Sequence, residues 1–150
     1  MRKFCTFANF VLVASFAIGC AQSTSAPTAP SGMNGSTTLT ADQLAGAWKL
    51  VSIQPAGQSE QATPSNANYT LTFADGRLST RADCNSCGGS FALSGQTLTA
   101  GPALACTRAA CPTMEFENKY TSLLSGDSTV TLSEQGLLLS SGRGTLRFSR

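Results

Sequence analysis

Hydrophobic residues fall into three patterns along this chain of 150 residues. Phe4 to Ile18 is an apolar run broken only by Thr6, Asn9 and Ser15. From Ala21 to Thr38 the pattern vanishes: Ser, Thr, Ala, Pro and Gly dominate and no charge occurs. From Leu39 onward, short alternating stretches separated by Gly-containing turns predict β-strands.

Thr40-Ala41-Asp42-Gln43 reads as a capping box opening a short helical turn that ends near Gly46. Ala47 to Ile53 reads as a strand, with Trp48 and Leu50 on one face and Lys49 on the other. Gln54 to Ala67 is polar and reads as a long exposed loop. Tyr69, Leu71 and Phe73 alternate with Thr70 and Thr72, Asp75-Gly76 signals a hairpin, and Arg77 to Ala82 returns. Gly89 to Leu93 and Gln96 to Ala100 flank a second hairpin at Ser94-Gly95. Pro112 to Leu124 differs: Phe116, Tyr120, Leu123 and Leu124 stand at helical spacing, with Glu115 and Lys119 at i,i+4. Pro112 suits the start of this helix and Gly126 its end. Ser128 to Ser133, Gly136 to Ser141 and Gly144 to Ser149 complete the strands. The fold class expected is α+β: a curved antiparallel sheet, a partly open barrel of about eight short strands, packed around one amphipathic helix.

The apolar run near the start is about fifteen residues, short of the roughly 20 a membrane-spanning helix needs. With Arg2 and Lys3 before it and Ala17-Ile18-Gly19-Cys20 after it, the segment resembles a lipoprotein export signal. That resemblance implies cleavage before Cys20 and acylation of Cys20, with Ala17 where Leu is usual. The alternative is ordinary signal cleavage and secretion. The charge-free segment cannot bury enough surface to offset its ordering entropy and is expected to be a tether. As a coil its eighteen residues would reach on the order of 20–25 Å. The organisation is thus a signal peptide (1–19), a lipidated cysteine with tether (20–38) and one domain (39–150). The domain is large enough for one core. Ala21 after the cysteine favours outer-membrane sorting, on the periplasmic face, in an organism with two membranes.

Charge adds an exclusion. Of ten basic residues, Arg2 and Lys3 leave with the signal, and the remaining eight are matched by eight acidic ones. A balanced chain with no basic stripe gives no electrostatic signature of nucleic-acid binding.

Cys84, Cys87, Cys106 and Cys111 remain in the domain. An even number in a small exported domain implies a disulfide framework, of which four cysteines allow three connectivities. A zinc site is the rival: Cys84-x-x-Cys87 has ribbon spacing, but four residues separate Cys106 and Cys111 and the compartment is oxidising. A redox-active pair would need a helix N-terminus behind it, whereas Gly88-Gly89 and a strand follow. Structural bridges are therefore expected, and no metal or cofactor.

Catalysis has no visible residues. The chain has no histidine, which removes Ser–His and Cys–His nucleophiles and most catalytic zinc sites. Glu115 and Glu117 diverge by about 200° on a helix and read as a solvated first turn, where negative charge suits the macrodipole. Trp48, Tyr69, Phe73, Phe91, Phe116 and Phe148 read first as core.

Several stretches in order resemble the META domain of the HslJ-like family of bacterial envelope proteins. Leu44-Ala45-Gly46-Ala47-Trp48-Lys49-Leu50 is similar to its opening, and Tyr69 to Arg77 to its first hairpin. Cys84-Asn85 with Gly89 and Phe91 resembles its Cys-Asn stretch. Thr107-Arg108-Ala109-Ala110-Cys111-Pro112 with Met114-Glu115-Phe116-Glu117 resembles its helix start, and Gly144 to Phe148 its closing strand. The resemblance covers Leu44 to Phe148. It implies an α+β fold, a role in envelope stress tolerance and no settled biochemical activity. Family members commonly carry one cysteine in each stretch, matching Cys84 and Cys111, so the resemblance implies nested bridges Cys84–Cys111 and Cys87–Cys106, the second an added pair. Arg81-Ala82-Asp83 departs from the Gly-rich stretch usual there.

The function expected is that of a non-enzymatic, lipid-anchored envelope protein, supporting stress tolerance by binding a protein or envelope component. Its partners would be the membrane, through Cys20, and an unidentified envelope component, with the domain itself a monomer. The alternative is a lipocalin-like carrier holding a small apolar ligand inside the sheet, lined by Trp48, Tyr69 and Phe91.

Overall fold

The structure, a computed structural model, describes residues 38–150. The expected signal peptide, Cys20 and almost all of the tether lie outside the described residues. In chain order the elements are α1 (Ala41–Leu44), β1 (Gly46–Pro55), β2 (Gln61–Ala62), β3 (Tyr69–Ala74), β4 (Arg77–Ala82) and β5 (Asn85–Ser94). Then follow β6 (Thr97–Ala100), β7 (Ala105–Cys106), α2 (Met114–Leu124), β8 (Gly126–Ser133), β9 (Gly136–Ser141) and β10 (Gly144–Ser149).

Eight strands form an antiparallel ring in the order β10-β9-β8-β6-β5-β4-β3-β1, and β1 pairs back onto β10. The barrel is therefore closed, not partly open. Closure rests on β1, which is ten residues long and paired on both edges. Its first half faces β3, from Gly46 opposite Phe73 to Lys49 opposite Thr70. Its other edge faces β10, from Lys49 opposite Ser149 to Pro55 opposite Gly144, with a bulge between Leu50 and Ser52. A bulge adds local twist and bends the strand, which curls β1 from one neighbour to the other. Gly144 is required at this seam: its φ is +139°, and a Cβ there would run into the Gln54 carbonyl.

Two short strands sit outside the ring. The expected loop from Gln54 to Ala67 contains β2, which extends the β3 side of β1 at Ser52 and Ile53. β7 pairs Cys106 with Cys87 and Ala105 with Gly88. β5 also begins four residues before the expected start at Gly89, so the Cys84-x-x-Cys87 stretch leads into and along a strand. Asn85 and Cys87 face inward and Ser86 faces outward, the period-2 alternation of a half-buried strand. β8 likewise begins at Gly126; Ser125, in extended conformation, ends the helix.

Because every pairing is antiparallel, the connections alternate between two ends of the barrel. One end carries α1, the turns at Asp75-Gly76, Gly95 and Glu134-Gln135, and Arg150. Asp75 and Gly76 both have positive φ, at 50° and 70°, the backbone a two-residue hairpin demands. The other end carries α2, the Asp83-Cys84 turn and the Gly142-Arg143 turn. Between the ends, Tyr69, Tyr120, Phe73 and Phe148 are the largest fully buried side chains, with leucines and Ile53 around them. α2 supplies Tyr120, Leu123 and Leu124 to this core.

Candidate functional site

The motif residues converge at the α2 end. The β4–β5 turn places Asp83 at φ 57°, followed by Cys84 and the fully buried Asn85. The Asn85 side chain works as a substitute for a strand partner. Its Oδ1 accepts from the Ala109 amide at 2.7 Å and from Thr107 Oγ1 at 2.9 Å. Its Nδ2 donates to the Ala109 carbonyl at 3.0 Å and to Glu117 Oε2 at 3.0 Å, and lies 3.2 Å from Cys111 Sγ. Both lone pairs and both hydrogens are thus used, the full capacity of a carboxamide. One residue in β5 fixes the backbone of the 107–111 segment and the first turn of α2.

Glu117 is 6% exposed and receives the Asn85 amide, so it is not the solvated helix-start residue expected. Glu115, the other half of that expected pair, is exposed and bonded to Lys119 at 2.8 Å. That ion pair holds the Glu115 carboxyl below its ordinary value. Beside Glu117, Thr113 Oγ1 donates to Asp83 Oδ2 at 2.6 Å and accepts from the Tyr69 hydroxyl at 3.1 Å. Burial, reinforced by the charges of Asp83 and Glu117, raises the Tyr69 pKa, while the Thr113 hydrogen bond opposes this. Tyr120 lies deeper. Thr80 Oγ1 donates to the Thr70 carbonyl at 2.6 Å, leaving Tyr120 to donate to Thr80 at 2.6 Å. Burial raises the Tyr120 pKa far above that of a free phenol.

Two disulfides lock the same end: Cys84–Cys111 and Cys87–Cys106, the nested pairing the resemblance implied. All four sulfurs are covalently paired, leaving no thiolate in the domain for metal or redox chemistry. Among the described residues no three His, Cys, Asp or Glu side chains converge as a metal site. Asp83 and Glu117 are engaged by Thr113 and Asn85, so the cluster clamps structure and presents no open carboxylate pair to a substrate.

The aromatic residues singled out for a ligand occupy different places. Trp48 is buried in β1 at the α1 end; its Nε1 donates to the Leu44 carbonyl at 2.8 Å, and the Arg150 guanidinium lies 4.2 Å from its ring centroid. It lines an outer groove of about 310 Å³ with Gln43, Leu132, Glu134 and Arg150. Phe91 packs edge-on to Phe73 and lines a separate groove of about 440 Å³ with Asp42, Thr72 and Asp75. Tyr69 is held between Phe116 and Tyr120 near the other end. Cys20 lies outside the described residues.

Sequence reasoning missed Asn85, Thr113 and Glu117 as interacting residues. A signal existed for Glu117: with Tyr120 and Leu124 it occupies positions i, i+3 and i+7, the buried stripe of α2. No spacing rule links Asn85 to Ala109, because that contact crosses from a strand to a loop.

A family model for the META domain matches residues 38–150. Among solved structures, the NMR structure of a protein from Burkholderia xenovorans is similar at 28% identity and a TM-score of 0.61, covering 73% of this chain and 85% of that one. A second NMR structure is similar at 26% identity and a TM-score of 0.59, covering 74% of this chain and 94% of that one. No curated protein matches the chain. The chain belongs to the META domain family, and its two disulfides accord with an extracytoplasmic envelope protein.

Proposed function

We propose that this chain is a lipid-anchored envelope protein whose barrel supports stress tolerance by binding a protein or another envelope component, without catalysis. Acylation of Cys20 would tether it to the membrane, on the periplasmic face of the outer membrane where one exists. The observation that carries the non-enzymatic reading is the use of Asn85, Thr113, Asp83 and Glu117 to hold one another and the disulfide loop in place. The absence of histidine from the sequence and membership of a family not known as enzymes support it.

The carrier alternative would place ligand inside the sheet. Tyr69, Tyr120, Phe73 and Phe148 already fill that interior, so a ligand would have to take an outer groove such as the one beside Trp48. Titration of the single tryptophan's fluorescence with lipids tests this; a flat titration removes the carrier reading. The main proposal is tested by deleting the gene, challenging cells with heat or membrane-active compounds, and crosslinking in intact membranes. Sensitivity together with a recovered partner supports it. An unchanged phenotype with no partner contradicts it, and an unacylated amino terminus on the mature protein contradicts the anchor.

A further inference from the structure

The fold gathers three cations on one outer face of a chain whose charges balance in sequence. On the outer face of β1, β3, β4 and β5, the register sets Lys49 opposite Thr70, Thr70 opposite Arg81 and Arg81 opposite Ser86. The neighbouring row is Ala47, Thr72, Ser79 and Gly88, and Arg77 stands opposite Ser90 beyond it. These outward positions hold three cations, small or hydroxylated side chains and no carboxylate. Lys49, Arg77 and Arg81 are all exposed, and none has a carboxylate at ion-pair distance among the described residues. Asp75 and Asp83 occupy the turns at the two ends of β4, and Asp83 is already bonded to Thr113. The outer positions of β6 and β8 differ: Thr97, Thr99, Asp127, Thr129 and Thr131 hold one carboxylate and no cation.

We propose that the β1-β3-β4-β5 face docks on the anionic surface of a lipid bilayer. Low side chains let the three cations approach a surface together, and the lack of carboxylates leaves their field uncancelled. The partner must be anionic and extended, because the cations spread over three strands without converging on a pocket. A bilayer is favoured over a soluble polyanion by the proposed anchor on Cys20, on which this choice of partner rests. Each cation held against an anionic leaflet strengthens partitioning about five-fold, so three together give on the order of a hundred-fold. Screening weakens the attraction as salt rises.

The test uses the processed chain with vesicles of phosphatidylcholine alone, or of phosphatidylcholine with a minority of phosphatidylglycerol. An amine-acylating reagent then reports on Lys49, with Lys119 on α2 as the internal reference. Protection of Lys49 relative to Lys119 on the anionic vesicles at low salt, reversed at high salt, is the expected result. The Arg77→Gln/Arg81→Gln variant, with an unchanged melting midpoint, should lose that protection. Equal labelling of Lys49 on both vesicle types overturns the proposal, as does protection by a soluble polyanion but not by vesicles. Flotation on phosphatidylcholine vesicles tests the anchor separately: a chain that fails to float there but shows Lys49 protection on anionic vesicles refutes the anchor and keeps the docking face.

Discussion

The two ends of the barrel are closed by different physics. At the α2 end, two disulfides, the saturated Asn85 carboxamide and the Tyr69–Thr113–Asp83 chain bind three elements together. At the α1 end, a four-residue helix inserts Leu44, and Trp48 holds its carbonyl. Arg150 donates to the Gln43 and Ala45 carbonyls at 3.2 and 3.1 Å, and the Thr40 amide donates to Gln43 Oε1 at 2.8 Å. No covalent link occurs at that end among the described residues. The first end opens only when several buried polar groups lose their partners, while the second rests on Leu44, one buried hydrogen bond and a few exposed ones. Local opening should therefore begin at α1.

The largest expected effect comes from replacing all four domain cysteines by alanine. Each bridge closes a loop worth about 3 kcal/mol, and the nested loops overlap, so a total loss of about 5 kcal/mol is expected in urea denaturation. Asn85→Ala comes next, at about 3 kcal/mol, because it strips the buried Glu117 carboxylate of its amide donor and releases the Ala109 amide from its acceptor. Adding Glu117→Leu should restore part of that loss, since the stranded charge is removed; a purely additive second loss would break the account of the clamp.

Alkaline pH should act on the same end. Tyr69 and Tyr120 both have raised pKa values in the folded protein, so the folded state favours their neutral forms. Their contribution is complete below the ordinary phenol value of 10.0 and is lost as pH rises above it. Denaturation midpoints should hold up to that point and then fall, and Tyr120→Phe should flatten the fall. The smallest effect belongs to the α1 end: Arg150→Ala should cost about 0.5–1 kcal/mol and speed amide exchange in α1 while leaving the 107–111 segment unchanged.

Much of the barrel was legible because its strands alternate cleanly. Tyr69-Leu71-Phe73 and the Asp75-Gly76 turn predict β3 and β4 closely, and the boundaries of β9 and β10 agree. Barrel closure was not legible, since it depends on a bulge that lets β1 serve two neighbours, and no local pattern marks a bulge at Val51. The β5 start was missed because Cys84-x-x-Cys87 carries no apolar alternation; there the inward positions are a buried amide and a half-cystine. The disulfide pairing came from resemblance, as four cysteines alone leave three connectivities open. Glu117 was misassigned because a carboxylate in a first turn satisfies the macrodipole in solvent, and only tertiary contact with Asn85 draws it inside.

Native-state hydrogen exchange at the Ala109 amide tests the central claim most directly. Ala109 belongs to an exposed loop outside any helix or strand, yet its N–H is bound by Asn85 Oδ1. The clamp predicts protection approaching that of the barrel strands and well above that of the Ala45 amide at the end of α1. Exchange of Ala109 at the rate of an open loop, with Ala45 equally or better protected, would contradict it.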